Sequence, residues 1–293
     1  MKRLFFVMNP FAGTRKANRV LPQILAEFNR AGYEVIVHIT KTQGDACRQV
    51  AARAGSMDLV VCCGGDGTFN ETVAGLMESG AKIPVGYIPA GSTNDFAASL
   101  GLSNNPVEAA KRIVSGTART YDLGKLGDRY FSYVASFGAF TRASYATPQN
   151  VKNALGHTAY LLEGMQEISQ VRPIPVRLEL DGEVIEDQFL FGAISNSTSL
   201  GGVVSLDPKQ VDLSDGLFEV ILVRKPQDVS QIAQCIQAVQ KQQYNCQMLT
   251  FRKVKSVKVY APADMDWTVD GEREPGREEM EISNLHRAYQ LIG

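Results

Sequence analysis

The sequence predicts an α/β domain followed by a mainly β domain: a doubly wound, Rossmann-like parallel sheet over residues 1–122, then a β-sandwich or open barrel over residues 123–293. Three observations predict it. Short apolar runs alternate with amphipathic helical stretches as far as Val114, the pattern of repeated β-α-β units. After Asp122 the chain changes to strand-like runs with few helical interruptions. Glycine turns also stand where two first-half strands run into helices, the sheet edge at which open α/β folds bind ligands.

Leu4 to Met8 reads as the first buried strand, ended by Asn9-Pro10-Phe11-Ala12-Gly13. Arg15 to Arg30 places Val20, Ile24 and Phe28 on one face, an amphipathic helix. Glu34 to Ile39 is a second strand, closed by the polar turn Thr40-Lys41-Thr42, and Gln43 to Ala54 a second helix. Asp58 to Cys63 is a third strand, and Ile83 to Ile88 a fourth. Val107 to Val114 closes the half as a helix. In the second half, Tyr130 to Ala135 and Val176 to Leu180 partly alternate, and Asp181-Gly182 is a hairpin signal. Ile185 to Ile194, Gly216 to Val223, Ser256 to Tyr260 and Trp267 to Val269 continue the strands. Asn150 to Ile168 and Gln227 to Gln242 read as helices. The last residues are expected to pack back on the first domain.

The third strand runs directly into Gly64-Gly65-Asp66-Gly67-Thr68-Phe69-Asn70-Glu71, where Val73, Leu76 and Met77 begin a helical pattern. Glycines lack Cβ atoms, so backbone N–H groups can approach an anion closely. The helix start adds unpaired N–H groups and the positive end of the dipole. A carboxylate at Asp66 would repel phosphate unless a divalent cation lies between them, because Mg²⁺ takes both kinds of oxygen. The plainer reading is a tight turn with Asp66 as a helix cap, which a lone Gly-Gly would favour. The length of the motif and its place at a strand end favour phosphate.

GGDGTFNE resembles the nucleotide-phosphate motif of the diacylglycerol kinase catalytic domain family, the soluble bacterial lipid kinases. Related GGDG turns occur in sphingosine, ceramide and NAD kinases and in 6-phosphofructokinases, and Asn70-Glu71 narrows the resemblance to the lipid-kinase branch. Two further stretches support it. Asn9-Pro10-Phe11-Ala12-Gly13 is similar to the family's Asn-Pro-x-x-Gly, with Arg15 and Lys16 following. Pro89-Ala90-Gly91-Ser92-Thr93-Asn94-Asp95-Phe96-Ala97 is similar to its Pro-x-Gly-Thr-x-Asn-Asp-Phe-Ala, with Ser92 keeping the hydroxyl of the usual threonine. On residues alone, Asn94 or Asp95 caps the next helix.

The resemblance implies ATP with Mg²⁺ as phosphoryl donor and a diacylglycerol-like lipid as acceptor. It places the nucleotide on Asn9 to Gly13, Thr40, Gly64 to Asn70, Gly91 and Ser92. It assigns catalysis to Asp66, Asp95 and Glu272. Asp270-Gly271-Glu272 reads as a plain hairpin on residues alone; the resemblance puts it at the cleft, with Glu272 as general base. Asp212, Asp215 and the Leu217 carbonyl precede a strand as a polar turn, and the resemblance makes them a structural Mg²⁺ site.

Composition sets limits around this reading. The 293 residues are 44% apolar and carry a net charge of −1, so no basic footprint argues for nucleic acid. Five cysteines without a CxxC pair point to a reducing compartment, and three histidines make a His-based metal site a poor candidate. Polar Asn9 ends the first apolar run too early for a signal peptide. No apolar run reaches the roughly 18 residues of a membrane span, so the expectation is a cytoplasmic protein in peripheral contact with the membrane, with room for a homodimer. No Walker A motif occurs. Two rivals remain: an NAD kinase-like phosphotransferase, disfavoured by Asn70-Glu71 and Asn94 to Ala97, and a non-catalytic nucleotide- or lipid-binding regulator, disfavoured by Asp66, Asp95 and Glu272.

Overall fold

The computed structural model describes residues 1–139, 172–200, 204–207, 209–226, 228–244 and 246–293. The chain forms two compact units, Met1–Leu123 together with Leu285–Gly293, and Gly124–Asn284.

The first unit is built from β1 (Lys2–Met8), α1 (Lys16–Arg30), β2 (Tyr33–Ile39), α2 (Asp45–Arg53), β3 (Leu59–Gly64), α3 (Asp66–Ser79), β4 (Val85–Pro89), α4 (Asp95–Ser99) and α5 (Pro106–Ser115). Strands β2, β1, β3 and β4 lie side by side in that order, all parallel. All six residues of β3 and all five of β4 are buried, as parallel strands covered on both faces require. Leu4, Phe6, Leu59 and Val61 meet the α1 stripe Ala17, Ile24 and Phe28 in one core. Asn105 caps α5 by accepting from the Val107 and Glu108 N–H groups, with Pro106 at the first helical position.

The second unit is antiparallel. It contains β6 (Arg129–Phe131), β7 (Val134–Gly138), β8 (Ile174–Leu180) and β9 (Glu183–Ser195), entered through β5 (Arg119–Leu126), whose residues up to Leu123 belong to the first unit. After the short β10 (Ser199–Leu200) and β11 (Val204–Ser205) come β12 (Phe218–Arg224), α6 (Val229–Gln240), β13 (Leu249–Val254) and β14 (Ser256–Tyr260). β15 (Trp267–Val269), β16 (Glu272–Glu274) and the first part of β17 (Glu279–Ile292), as far as Asn284, complete it. The β8–β9 hairpin turns at Asp181 and Gly182, both at positive φ, as a two-residue type I′ turn needs. β9 is long enough to pair with β8 along its first half and with β7 and β12 along its second. Phe131, Phe137, Phe189, Phe218 and Trp267 fill the core of this unit.

The parallel sheet followed by a β-sandwich is the predicted class. The expected helix over Asn150 to Ile168 lies outside the described residues. The 14-residue β17 was not anticipated: it pairs with β14 at one end, while Leu291 and Ile292 run parallel to Val85 and Gly86 of β4 at the other.

Candidate functional site

Three loops of the first unit come together at the C-terminal ends of its strands. The Gly64 carbonyl accepts from the Ala90 N–H at 2.8 Å, and the Asn9 N–H donates to the Cys63 carbonyl at 3.0 Å. The close approach depends on glycine. A Cβ on Gly91 would stand 2.6 Å from the Gly65 Cα, and one on Gly13 2.5 Å from the Ala90 carbonyl oxygen. Side chains then lock the loops. Asn9 Nδ2 donates to Thr68 Oγ1 (3.2 Å) while its Oδ1 accepts from the Phe11 N–H (2.9 Å). Asn94, in the left-handed region, closes the Gly91 loop by accepting from the Gly91 N–H and donating to the Gly91 carbonyl.

Thr40 belongs to the same edge, its N–H donating to the Met8 carbonyl at 2.8 Å. The next residue is held by Asp45, whose Oδ2 accepts from the Lys41 N–H and lies 3.0 Å from His38 Nε2. The His38 contact, followed by the Lys41 N–H, holds the Asp45 carboxyl below its ordinary value. Glu71 has a role that the sequence reading lacked. Its two oxygens accept from the Gly44 and Ala46 N–H groups, capping the start of α2 from α3. Phe69 is fully buried, stacked on Tyr87 at 4.4 Å and Phe96 at 5.2 Å between ring centroids. Its side chain therefore packs the scaffold behind the loops. Phe11 is 69% exposed, with the Arg15 guanidinium 5.5 Å over its ring.

Asp66 opens α3 yet caps a different helix. Its Oδ2 accepts from the Asp95 N–H at 2.9 Å, at the start of α4, and Tyr87 Oη donates to its Oδ1 at 3.3 Å. The helix-cap reading of the sequence thus holds in part. Burial first, then the Asp95 charge, pushes the Asp66 carboxyl up to about 6. A half-buried carboxylate beside a second one, at a helix start with no side-chain cap, suits a divalent cation that arrives with phosphate.

In the second unit, Asp270 and Gly271 form the two-residue turn between β15 and β16, both at positive φ. Asp270 is 5% exposed, and its carboxylate accepts from the Ser132, Tyr133 and Val134 N–H groups at 2.6, 3.1 and 3.0 Å. It anchors a loop more than 130 residues away in the chain, which no local signal announces. Glu272 opens β16, with Oε2 2.6 Å from Arg129 Nη2.

Asp212, Asp215 and Leu217 lie on one turn before β12. Asp212 Oδ1 accepts from the Ser214 N–H and hydroxyl, and Asp215 Oδ1 from the Leu217 N–H. Lys253 Nζ lies 3.5 Å from Asp215 Oδ2 and 3.4 Å from Oε1 of the buried Glu219. Neither Glu219 oxygen has a hydrogen bond among the described residues, so the ammonium charge is its compensation. Burial still pushes the Glu219 carboxyl up to about 7. Among the described residues no group of three or more His, Cys, Asp or Glu side chains is placed to hold a metal. An ammonium at this spot repels a divalent cation, so the residues present fit the expected structural Mg²⁺ poorly. The nucleotide-free protein is therefore expected to show no Mg²⁺-dependent rise in melting temperature, and Lys253→Met to melt several degrees lower. A rise that Asp215→Ala removes would restore the metal to this turn.

Both parts of the chain resemble known proteins. Residues 3–126 match the model of the diacylglycerol kinase catalytic domain, and residues 134–282 that of the YegS C-terminal NAD kinase beta sandwich-like domain. A diacylglycerol kinase of Bacillus subtilis is 33% identical over 100% of this chain and 96% of its own length. One of Staphylococcus saprophyticus is 31% identical over 92% of this chain and 89% of its own. A crystal structure from Bacillus anthracis carrying a diacylglycerol kinase designation superimposes with a TM-score of 0.80 at 26% identity, over 99% of this chain and 95% of that one. The chain belongs to the diacylglycerol kinase catalytic domain family of bacterial lipid kinases. It is an ATP-dependent lipid kinase, and the NAD kinase-like and regulator readings are not favoured. No helix among the described residues is long and apolar enough to cross a membrane.

Proposed function

We propose that the acceptor is diacylglycerol and the product phosphatidate. The naming of full-length relatives supports the acceptor; the convergence of three glycine-bearing loops around Asp66 supports the donor. In this reading the phosphates of Mg²⁺–ATP lie over the N–H groups from Gly64 to Asn70, bordered by Asn9 to Gly13, Thr40, Gly91 and Ser92. Asp66, with Asp95 beside it, would hold the cation that accompanies the nucleotide, whose charge would offset the repulsion between the two carboxylates. Phosphoryl transfer asks the protein mainly for positioning and charge neutralisation. The bond from the γ-phosphorus to the bridging oxygen breaks, ADP keeps that electron pair, and the acceptor oxygen forms the new bond. Glu272 takes the hydroxyl proton. The acceptor resides in a bilayer, so the protein works in peripheral contact with the membrane.

The test offers diacylglycerol, monoacylglycerol, sphingosine and NAD with ATP and Mg²⁺ in mixed micelles, with products identified by mass. Phosphatidate as the dominant product is expected. Phosphorylated sphingosine or NADP as the dominant product would move the acceptor assignment.

A further inference from the structure

We propose that Arg129 is the positioning residue for Glu272, holding the carboxylate of the base by one oxygen and leaving the other to the acceptor hydroxyl. The inference rests on Glu272 being the base.

Arg129 lies on β6, which pairs with β5 and not with β16, so its grip on β16 is made by side chain alone. That grip spans three successive residues. Nη2 donates to Glu272 Oε2 at 2.6 Å, and Nη1 donates to Glu274 Oε2 at 3.1 Å and to the Arg273 carbonyl at 3.3 Å. Glu272 and Glu274 share one face of the strand, two residues apart. Their like charges would drive them apart without a cation between them. A guanidinium suits the task because its planar fork donates in fixed directions to two acceptors at once. β16 is three residues long and among the described residues pairs only with β15, so little else fixes its first side chain. Oε1 of Glu272 has no hydrogen bond among the described residues. The carboxylate is thus fixed at one oxygen and offered at the other, the arrangement a base needs before its substrate arrives.

A turnover cycle on full-length protein, with Arg129→Met, Glu272→Gln and the double variant, tests this with diacylglycerol in mixed micelles. Arg129→Met is expected to lower kcat by about 10²-fold, the cost of a misplaced catalytic group, with KM for ATP unchanged. In the Glu272→Gln background the same change should cost less than about threefold, because a positioning residue has nothing left to position. Glu274→Gln, which leaves the Arg129–Glu272 contact in place, should also cost less than about threefold. If Arg129→Met fails to fold, the cycle is run with Arg129→Lys. Its point charge can hold one carboxylate and not both, so a loss of about tenfold is expected, again absent beside Glu272→Gln. Equal losses in both backgrounds, or near-normal turnover of the Arg129 variant, would overturn the proposal. Near-normal turnover of Glu272→Gln alone would instead overturn the base assignment, a result read separately from the same cycle.

Discussion

Asp66→Asn is expected to lower lipid phosphorylation by about 10²–10³-fold, the usual cost of losing one preorganised electrostatic partner of the reacting group. The amide keeps the size of the side chain and still accepts from the Asp95 N–H, so the α4 cap survives. What it lacks is the charge that faces the cation of Mg²⁺–ATP. The same substitution should raise stability in the absence of nucleotide. The folded-state value of about 6 stands above the ordinary 3.8, so the folded protein binds this proton more tightly than the unfolded chain does. That contribution is fully present below about pH 4 and is lost as pH rises through 6. At pH 7.5 the ionised Asp66 is a net cost that asparagine removes. Nucleotide-free Asp66→Asn should therefore melt a few degrees above wild type at pH 7.5, with the gap closing towards pH 4. Wild-type turnover in the variant would remove Asp66 from the phosphate site. A lower melting temperature at pH 7.5 would mean that its ionised form holds the loops together.

Glu272→Gln is expected to cut turnover by about 10²–10⁴-fold, the range of general acid–base catalysis, with ATP affinity unchanged. Its melting temperature should stay near wild type, because the carboxylate is half exposed and an exposed ion pair contributes little, about 0–1 kcal/mol. Asp270 serves as the contrast two residues earlier. Asp270→Ala leaves three backbone N–H groups without their acceptor in a buried loop, at about 1–3 kcal/mol for each group left unsatisfied. Its defect should be stability, and Glu272's should be rate. Near-normal turnover of Glu272→Gln would exclude the base assignment. A large loss of ATP affinity would place Glu272 among the nucleotide contacts instead.

The legible parts of the molecule are those with short sequence reach. Buried parallel strands read as continuous apolar runs, so β3 and β4 were visible, and α1 was visible as a stripe. Gly65 and Gly91 marked the loops because close approach of backbones can be met in few other ways. The Asp181-Gly182 turn carried its own signal. What escaped depends on distant pairing. Nothing near Asp66 shows that it caps α4, nor that Tyr87 reaches it from the buried strand β4. Arg129 and Glu272 are 143 residues apart. The three residues of β16, Glu272-Arg273-Glu274, have the composition of a loop and become a strand only against β15. β17 has its two ends in different units, which no periodicity encodes. Lys253 faces Asp215 and Glu219 only through the β12–β13 register, so a motif that reads as a metal turn receives an ammonium.

Diacylglycerol kinase activity is read most directly as transfer of label from γ-labelled ATP into chloroform-extractable lipid, with purified protein, Mg²⁺ and diacylglycerol vesicles. Labelled phosphatidate is expected with wild type, and about 10²–10³-fold less with Asp66→Asn at equal folded concentration. Equal labelling by the two proteins, or none by folded wild-type protein, would contradict it.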